Sequence, residues 1–410
     1  GGDTIDLGER FRDRGFKGGM VDDFRVFDED LSREVEPSLA KELRTARAEV
    51  TALSDAAKEI MVMKELSQPK PAWILFRGEY DKRTDPVTAQ TPEVLGLLPE
   101  ATPKNRLSLA KWLTDRNHPL FARVTVNRLW QNVFGRGLVK TSEDFGSQGE
   151  RPLYPELLDY LSARFMDGGW DMKALLKAMV TSRVYLQRSV ADAKTMADDP
   201  ENQWLARGPR FRLPAEMIRD NALAASGLLK TAMGGPPVNA YEMTEAFKPE
   251  QASGGDGVWR RSVYANWRRT SPPPAMTTFD APKRSVCVAK RDRTDTPLQA
   301  LVLMNGVQYV EAARVLAEKL LKESAGDVKK MIELGFLHCV SRKPDATETK
   351  ICVQLYEEQL ALYKAAPAEA EALLKHGTAL RDPTLAVAEL AAATILSQAL
   401  LTHDESVVKR

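Results

Sequence analysis

The chain has 410 residues, too many for one ordinary hydrophobic core, so two or three structural units are expected. Its 58 Lys plus Arg nearly cancel its 57 Asp plus Glu, which excludes a global field of the kind that draws nucleic acid or an anionic membrane surface and leaves only local basic patches. At 43% hydrophobic and 28% charged it has the composition of a folded protein, and no apolar run is long enough to cross a bilayer.

Residues 1–31 turn and alternate like strands around Phe16-Lys17-Gly18-Gly19-Met20-Val21-Asp22-Asp23-Phe24-Arg25-Val26-Phe27, with Met20, Phe24 and Val26 on one face. One strand without its sheet leaves backbone donors and acceptors unpaired, so this segment is expected to be an edge cut from a larger domain. The opening Gly1-Gly2-Asp3, without a methionine, agrees with a piece of a longer chain whose signal peptide lies upstream. Leu39, Leu43, Ala46, Val50, Leu53, Ala57 and Ile60 then recur every three or four residues, the stripe of an amphipathic helix that spaces two domains or offers a partner surface. Trp73-Ile74-Leu75-Phe76 reads as a short strand, and the proline-punctuated stretch from Pro86 to Pro103 as an extended loop.

From Asn105 onward helices dominate. Gly135 supplies a C-cap, Pro155 fits a first helical position, Gly168-Gly169 stops that helix, Asp171 caps the next, and Pro214 and Thr296-Pro297 repeat the start signal. Between Gly234 and Pro282 a Gly, Pro and Ser-rich interval reads as a long ordered loop with Ser262-Val263-Tyr264-Ala265 as a strand, and Leu385 to Leu401 is an Ala-rich helix suited to close contact. The expected fold is mainly α, with a few short strands and long ordered loops. Its expected parts are a sandwich remnant over 1–31, an amphipathic linker over 32–68, and a helical domain over 69–410, divisible into halves 69–233 and 234–410.

Most standard catalytic signatures are missing: there is no H-E-x-x-H, G-x-S-x-G, P-loop or G-x-G-x-x-G. Asp144-Phe145-Gly146 imitates the kinase metal triplet without the glycine loop, catalytic loop or lysine that would accompany it, and Glu156 and Asp159 suit the dipole of a helix start. Cys287, Cys339 and Cys352 form no metal or haem spacing and read as buried free thiols, with one bridged pair in an oxidising space as the alternative, and the four histidines are too dispersed for a local metal motif. What recurs is arginine beside aromatics: Asn127-Arg128-Leu129-Trp130, Phe134-Gly135-Arg136-Gly137, Arg260-Arg261-Ser262-Val263-Tyr264, Arg268-Arg269 and Arg291-Asp292-Arg293. A guanidinium is a planar fork of donors matched to carboxylate, sulfate or phosphate, and a ring beside it can stack on a sugar. Two readings stay open: an anion-bearing ligand site, or internal pairing with Asp144, Glu156, Asp220, Asp280 or Asp295. The ligand-contact candidates are Arg128, Trp130, Arg136, Asp144, Arg261, Tyr264, Arg269, Asp280, Arg291 and Gln299. The Arg261–Asn305 segment is expected to pack on the Asn127–Asp144 region and shield Cys287. Replacing Arg128 or Arg136 by alanine is then expected to lower stability by stranding an acid.

The run over Phe16–Phe27 followed by Leu31-Ser32 resembles the closing strand of concanavalin A-like, laminin-G-like sandwiches. The blocks Met61–Glu65, Leu75–Asp81, Asn105-Arg106-Leu107, Asn127–Trp130, Phe134–Val139, Asp144-Phe145-Gly146, Pro155–Asp159, Gly169-Trp170, Arg261–Tyr264, Phe279-Asp280, Cys287, Thr296–Leu301 and Asn305 together resemble the planctomycete-type domain of unknown function 1553. Where that family carries a histidine before Pro-Glu-Leu-Leu-Asp, this chain has Tyr154, which counts against a catalytic or haem-ligating histidine there. The resemblance implies export and a place in a multidomain protein beside cytochrome c-like domains, with no assigned activity. No cofactor is expected within these residues, haem being confined to cytochrome-like domains elsewhere. The expected function is polysaccharide-associated binding or scaffolding. The expected partners are polysaccharide and other domains of the same chain, with no nucleic acid and no membrane span. The rivals are an enzyme that cleaves or oxidises an acidic glycan, with Asp144 or Asp280 moving the proton, and a purely structural interaction module.

Overall fold

The computed structural model describes residues 37–57, 60–240, 253–269 and 272–409. The strand expected over Phe16–Phe27, and with it the sandwich remnant, lies outside the described residues. The architecture is mainly helical, as expected, with fifteen α-helices and two short two-stranded sheets among the described residues. The chain divides into two compact units between Thr88 and Ala89.

The first unit contains helix α1 (Pro37–Ala56) and a hairpin of β1 (Ala72–Leu75) and β2 (Arg83–Val87). The apolar stripe of α1 exists, but the helix stops at Ala56, short of Ala57 and Ile60, and Leu39, Leu43, Val50 and Leu53 are exposed. The strand expected at Trp73 is present as β1. Its partner β2 carries Pro86 opposite Trp73 and was unreadable, because Arg-Thr-Asp-Pro-Val lacks apolar alternation. The pair is held instead by the Arg83 guanidinium 4.4 Å from the Trp73 ring and by Thr84 Oγ1 donating to the Ile74 carbonyl at 2.9 Å.

In the second unit, α2 (Arg106–Leu113) begins at Asn105, whose side chain accepts from the Ser108 amide. It is followed by α3 (Phe121–Phe134), α4 (Pro155–Asp167), α5 (Met172–Val180) and the short α6 (Ala193–Asp198). The expected punctuation is present: Gly135 is left-handed at the end of α3, Pro155 opens α4, and Asp171 accepts from two amides at the start of α5. Helices α3, α4 and α5 enclose one core around Val126, Trp130, Leu158, Phe165 and Met179.

A second, larger core forms from strand β3 (Phe211–Arg212) onward, with α7 (Ala215–Ser226), α8 (Pro274–Thr278), α9 (Pro297–Asn305), α10 (Val307–Ser324), α11 (Val328–Val340), α12 (Ala346–Ala365), α13 (Pro367–Leu374), α14 (Val387–Thr402), α15 (Asp404–Val407) and strand β4 (Val408–Lys409). The Ala-rich α14 is its axis, packed against α10 and α12. Ala391, Ala392 and Ala393 are buried there because a larger side chain would separate the helix axes. Close approach also selects Gly377 (φ 95°), where a Cβ would fall 2.5 Å from the carboxyl of Glu311. That fully buried carboxylate accepts from the Thr378 and Ala379 amides, each at 2.6 Å.

Two expectations about the long loop need correction. Ser262–Tyr264 is a 3-10 turn rather than a strand, because the Ser262 amide and hydroxyl both donate to Asp220 Oδ1 at 2.8 and 2.6 Å while Arg219 holds the carbonyl of Arg260 at 2.9 Å. These tertiary hydrogen bonds override the β propensity of Val and Tyr. Cys287 is exposed rather than shielded, as are the flanking Val286 and Val288, because the strap over 282–293 is tied down by polar groups. Cys339 and Cys352 are buried, and burial pushes the Cys339 thiol up to about 12, which makes it inert.

Replacing Ala392 by leucine should overpack the seam of α14 and cost about 1–3 kcal/mol, read as a lower urea midpoint with unchanged slope.

Candidate functional site

Strand β3 is paired with the chain's last strand, Phe211 opposite Lys409 and Arg212 opposite Val408, so two residues from mid-chain are fixed in direction by the C-terminus. Arg212 reaches across to Asp280, donating to its Oδ2, and its Nε donates to the Thr294 carbonyl at 3.0 Å. The Thr294 amide and hydroxyl also donate to the Asp280 carboxylate, at 2.8 and 2.9–3.0 Å. Burial pulls the Arg212 guanidinium below its ordinary value, against the pull of Asp280.

This clamp shapes an open cleft of about 520 Å3 between α3, the start of α7 and the strap over 282–293. Among the described residues, its lining holds five arginines (Arg128, Arg212, Arg284, Arg291, Arg293) against three carboxylates (Glu216, Asp280, Asp292). Two of those acids are engaged, Asp280 as above and Glu216 with Arg291 at 2.7 Å. Burial pushes the Glu216 carboxyl up, yet the Arg291 hydrogen bond holds it below its usual value.

Arg293 has no acid partner among the described residues. Its Nη1 donates to the Gly135 carbonyl at 2.8 Å and its guanidinium stacks 4.2 Å from the Phe211 ring. Desolvation and then the nearby charge of Arg212 lower its pKa. Gly135 (φ 85°) is required at this junction, since a Cβ would meet Phe211 Cδ1 at 2.5 Å. Arg128 is exposed in the cleft wall and likewise meets no acid among the described residues.

The structure therefore gathers Arg128, Asp280 and Arg291 of the expected residues, and disperses the others. Arg136 lies across Arg293 in a neighbouring cavity, paired with Glu201 at 2.9 Å. Trp130 is a core residue stacked on Phe134 at 4.0 Å, and Gln299 is buried, donating to the Thr278 carbonyl and the Thr294 hydroxyl, each at 3.0 Å. Asp144 closes its own turn, accepting from the Gly146 amide at 2.7 Å. Tyr264 carries Arg260 on its ring at 4.0 Å and accepts from the Gly234 amide at 2.7 Å. Arg261 and Arg269 are exposed and line none of these cavities. Tyr154 donates its hydroxyl to the Gln203 carbonyl at 3.2 Å. The strap does meet α3, but through Arg293 and Gly135 rather than through Asp144. Sequence reasoning missed Arg207, Arg212 and Glu216. The run Arg207-Gly208-Pro209-Arg210-Phe211-Arg212, with three arginines in six residues, was the available signal.

Elsewhere, Glu348, His403 and Glu405 bring three ligand-type atoms within 4.8 Å of one another. Arg342 already serves the two carboxylates, donating to Glu348 at 2.6 and 2.7 Å and to Glu405 at 2.7 and 2.9 Å. The guanidinium thus supplies the positive charge that a cation would bring. Its hydrogen bond is also the main cause that lowers Glu348 from 4.5 to about 2.

A helical domain with an arginine-lined cleft and no catalytic signature is a fold and a site without a familiar reaction. The chain belongs to the family described as protein of unknown function (DUF1553), whose model matches residues 105–356. The match starts at the cap of α2, covers the first core, and ends within α12, before the α14 axis of the second. No curated protein and no solved structure matches the chain.

Two outcomes follow from this geometry. Since Arg128 strands no acid, its replacement by alanine should leave the melting temperature unchanged, whereas Asp280→Asn should cost about 2–3 kcal/mol by leaving Arg212 uncompensated; thermal melts of both variants check this. Glu348 is ionised in both states above pH 4.5 and protonated in both below about pH 2, and Arg342 binds the ionised form, so its stabilisation is complete above 4.5 and lost as pH falls toward 2. Urea titrations across that window should show a shallower loss for Glu348→Gln than for the unaltered chain.

Proposed function

We propose that this chain is a polyanion-binding module of an exported multidomain protein, with acidic or sulfated polysaccharide as its ligand and electron transfer left to cytochrome c-like domains elsewhere in the longer protein. The observation that carries the reading is the cleft wall, where Arg128 and Arg293 face the opening without an acid among the described residues. Guanidinium forks match carboxylate and sulfate oxygens, and the open cleft suits a polymer better than an enclosed metabolite. Apolar edges from Met217, Pro214 and Val288 line the same opening and can meet a sugar face.

The enzyme reading has less support. Glycoside hydrolysis needs two carboxylates free to exchange protons or attack, and Asp280 and Glu216 are held by guanidinium groups. Asp292 is exposed in the cleft wall, one acid without a second. The interaction-module reading rests on the exposed stripe of α1. No helix among the described residues is long and apolar enough to cross a membrane.

The test is retention of the full chain on immobilised dextran sulfate and on neutral dextran. Binding should be selective for the sulfated polymer and weaken with salt, and Arg128→Gln should weaken it about tenfold with an unchanged melting temperature. Equal retention of the variant and the unaltered chain would refute the assignment.

A further inference from the structure

Across Arg293 from the cleft lies a second cavity of about 340 Å3, built on the segment that follows α6. Asp199 is buried there, but its carboxylate is spent on backbone amides, accepting from Gln203 at 2.7 Å and from Trp204 at 2.8 Å. Arg207, which follows it in the chain, receives no carboxylate. Its Nη2 donates to the carbonyls of Asp199 and Pro200 at 2.7 and 2.9 Å, and its Nη1 meets no acceptor among the described residues. Arg207 is only 6% exposed and lines the cavity.

A buried guanidinium neutralised by carbonyl dipoles alone is costly, because each ion removed from water forfeits several kcal/mol unless an opposite charge returns it. Glu201 does not return it, since its carboxylate is bonded to Lys140 at 2.9 Å, the first cause of its lowered pKa, and paired with Arg136. Lys290, exposed at the rim, adds a cation with no partner among the described residues. The rest of the wall is mixed, with Phe134, Phe211 and Met196 as its apolar side and Gln131, Ser189, Asn202 and Arg210 as polar groups beside the charges. The volume is enough for one small molecule.

We propose that this cavity is a second anion site, taking a small ring compound that bears a carboxylate, sulfate or phosphate. The oxyanion is held by the cations of the wall, Arg207, Arg293 and Lys290, and the ring lies against Phe134, Phe211 and Met196. The site does not use Arg128, so it stands or falls independently of the polysaccharide reading, although the two share Arg293.

The experiment is calorimetric titration of the full chain with glucuronate, with glucose, and with inorganic sulfate and phosphate. Glucuronate should bind one to one and about tenfold more tightly than either inorganic ion, and glucose should not bind. Met196→Trp, which fills the mouth without removing a charge, should weaken glucuronate about tenfold, and Lys290→Gln should weaken it several-fold, both with unchanged melting temperatures. Arg207→Gln should abolish binding; because it also loses two backbone contacts, Met196→Trp carries the test if that variant does not fold. No binding of any oxyanion at millimolar concentration, or binding indifferent to Met196→Trp and Lys290→Gln, would overturn the site. Equal affinity for glucuronate and the inorganic ions would overturn the ring-bearing ligand. Arg128→Gln should leave glucuronate binding intact even where it removes dextran sulfate retention, which separates failure of one assignment from failure of the other.

Discussion

The carboxylate of Asp280 accepts from Arg212 and from the amide and hydroxyl of Thr294, and on that cluster the strap, the end of β3 and the entry to α9 all depend. Both partners of the ion pair are largely covered, with side chains 12% and 17% exposed, so the attraction acts in a medium less polarisable than water. Asp280 adopts a left-handed backbone (φ 60°), a conformation that aspartate tolerates better than most residues, and the hydrogen bonds hold it there. Because Arg212 is itself paired with β4, the chain's last strand sets the angle of the cation that orders the strap.

The same clamp produces the charge imbalance on which the functional readings rest. The chain is close to neutral, with a formal charge of +1, yet most of its acids near the cleft and cavity are already committed, Asp292 excepted. Glu216 goes to Arg291, Glu201 to Lys140 and Arg136, and Asp199 to backbone amides. Arg128, Arg207 and Arg293 are left facing open space or carbonyls, and the local potential is positive where the global one is not. Neutral composition therefore says little about such a site. What matters is which acids the fold spends on structure.

The two misread segments show how tertiary contacts displace local preference. Ser-Val-Tyr-Ala has strand-forming residues, but Asp220 offers Ser262 two hydrogen bonds that a strand would not satisfy, and the backbone tightens into a turn. Val-Cys-Val has the composition of a buried segment, and it lies exposed because Arg291 and Arg293 anchor the strap at its far end through polar contacts. In both cases polar contacts to groups on distant helices decided the outcome, Asp220 on α7 for Ser262, and Glu216 on α7 with the Gly135 carbonyl at the end of α3 for the strap.

Most of the longer helices were legible in the sequence by itself, whereas α8 lies in a stretch that reads as loop. Their information is local: apolar residues every three or four positions, Asp171 or Asn105 at an N-cap, Pro155 at a first turn, Gly135 at a C-cap, and alanines where α14 must approach its neighbours. The sequence also marked arginine beside aromatics as the chemistry to watch, and Arg128, Arg291 and Asp280 were among its candidates. Only the tertiary structure decided which of these face one cleft. The decisive contacts join Arg212 to Asp280 across 68 residues and Gly135 to Arg293 across 158. No periodicity reports such pairings, because a guanidinium can satisfy any acid or carbonyl within reach, and reach is set by how the helices pack.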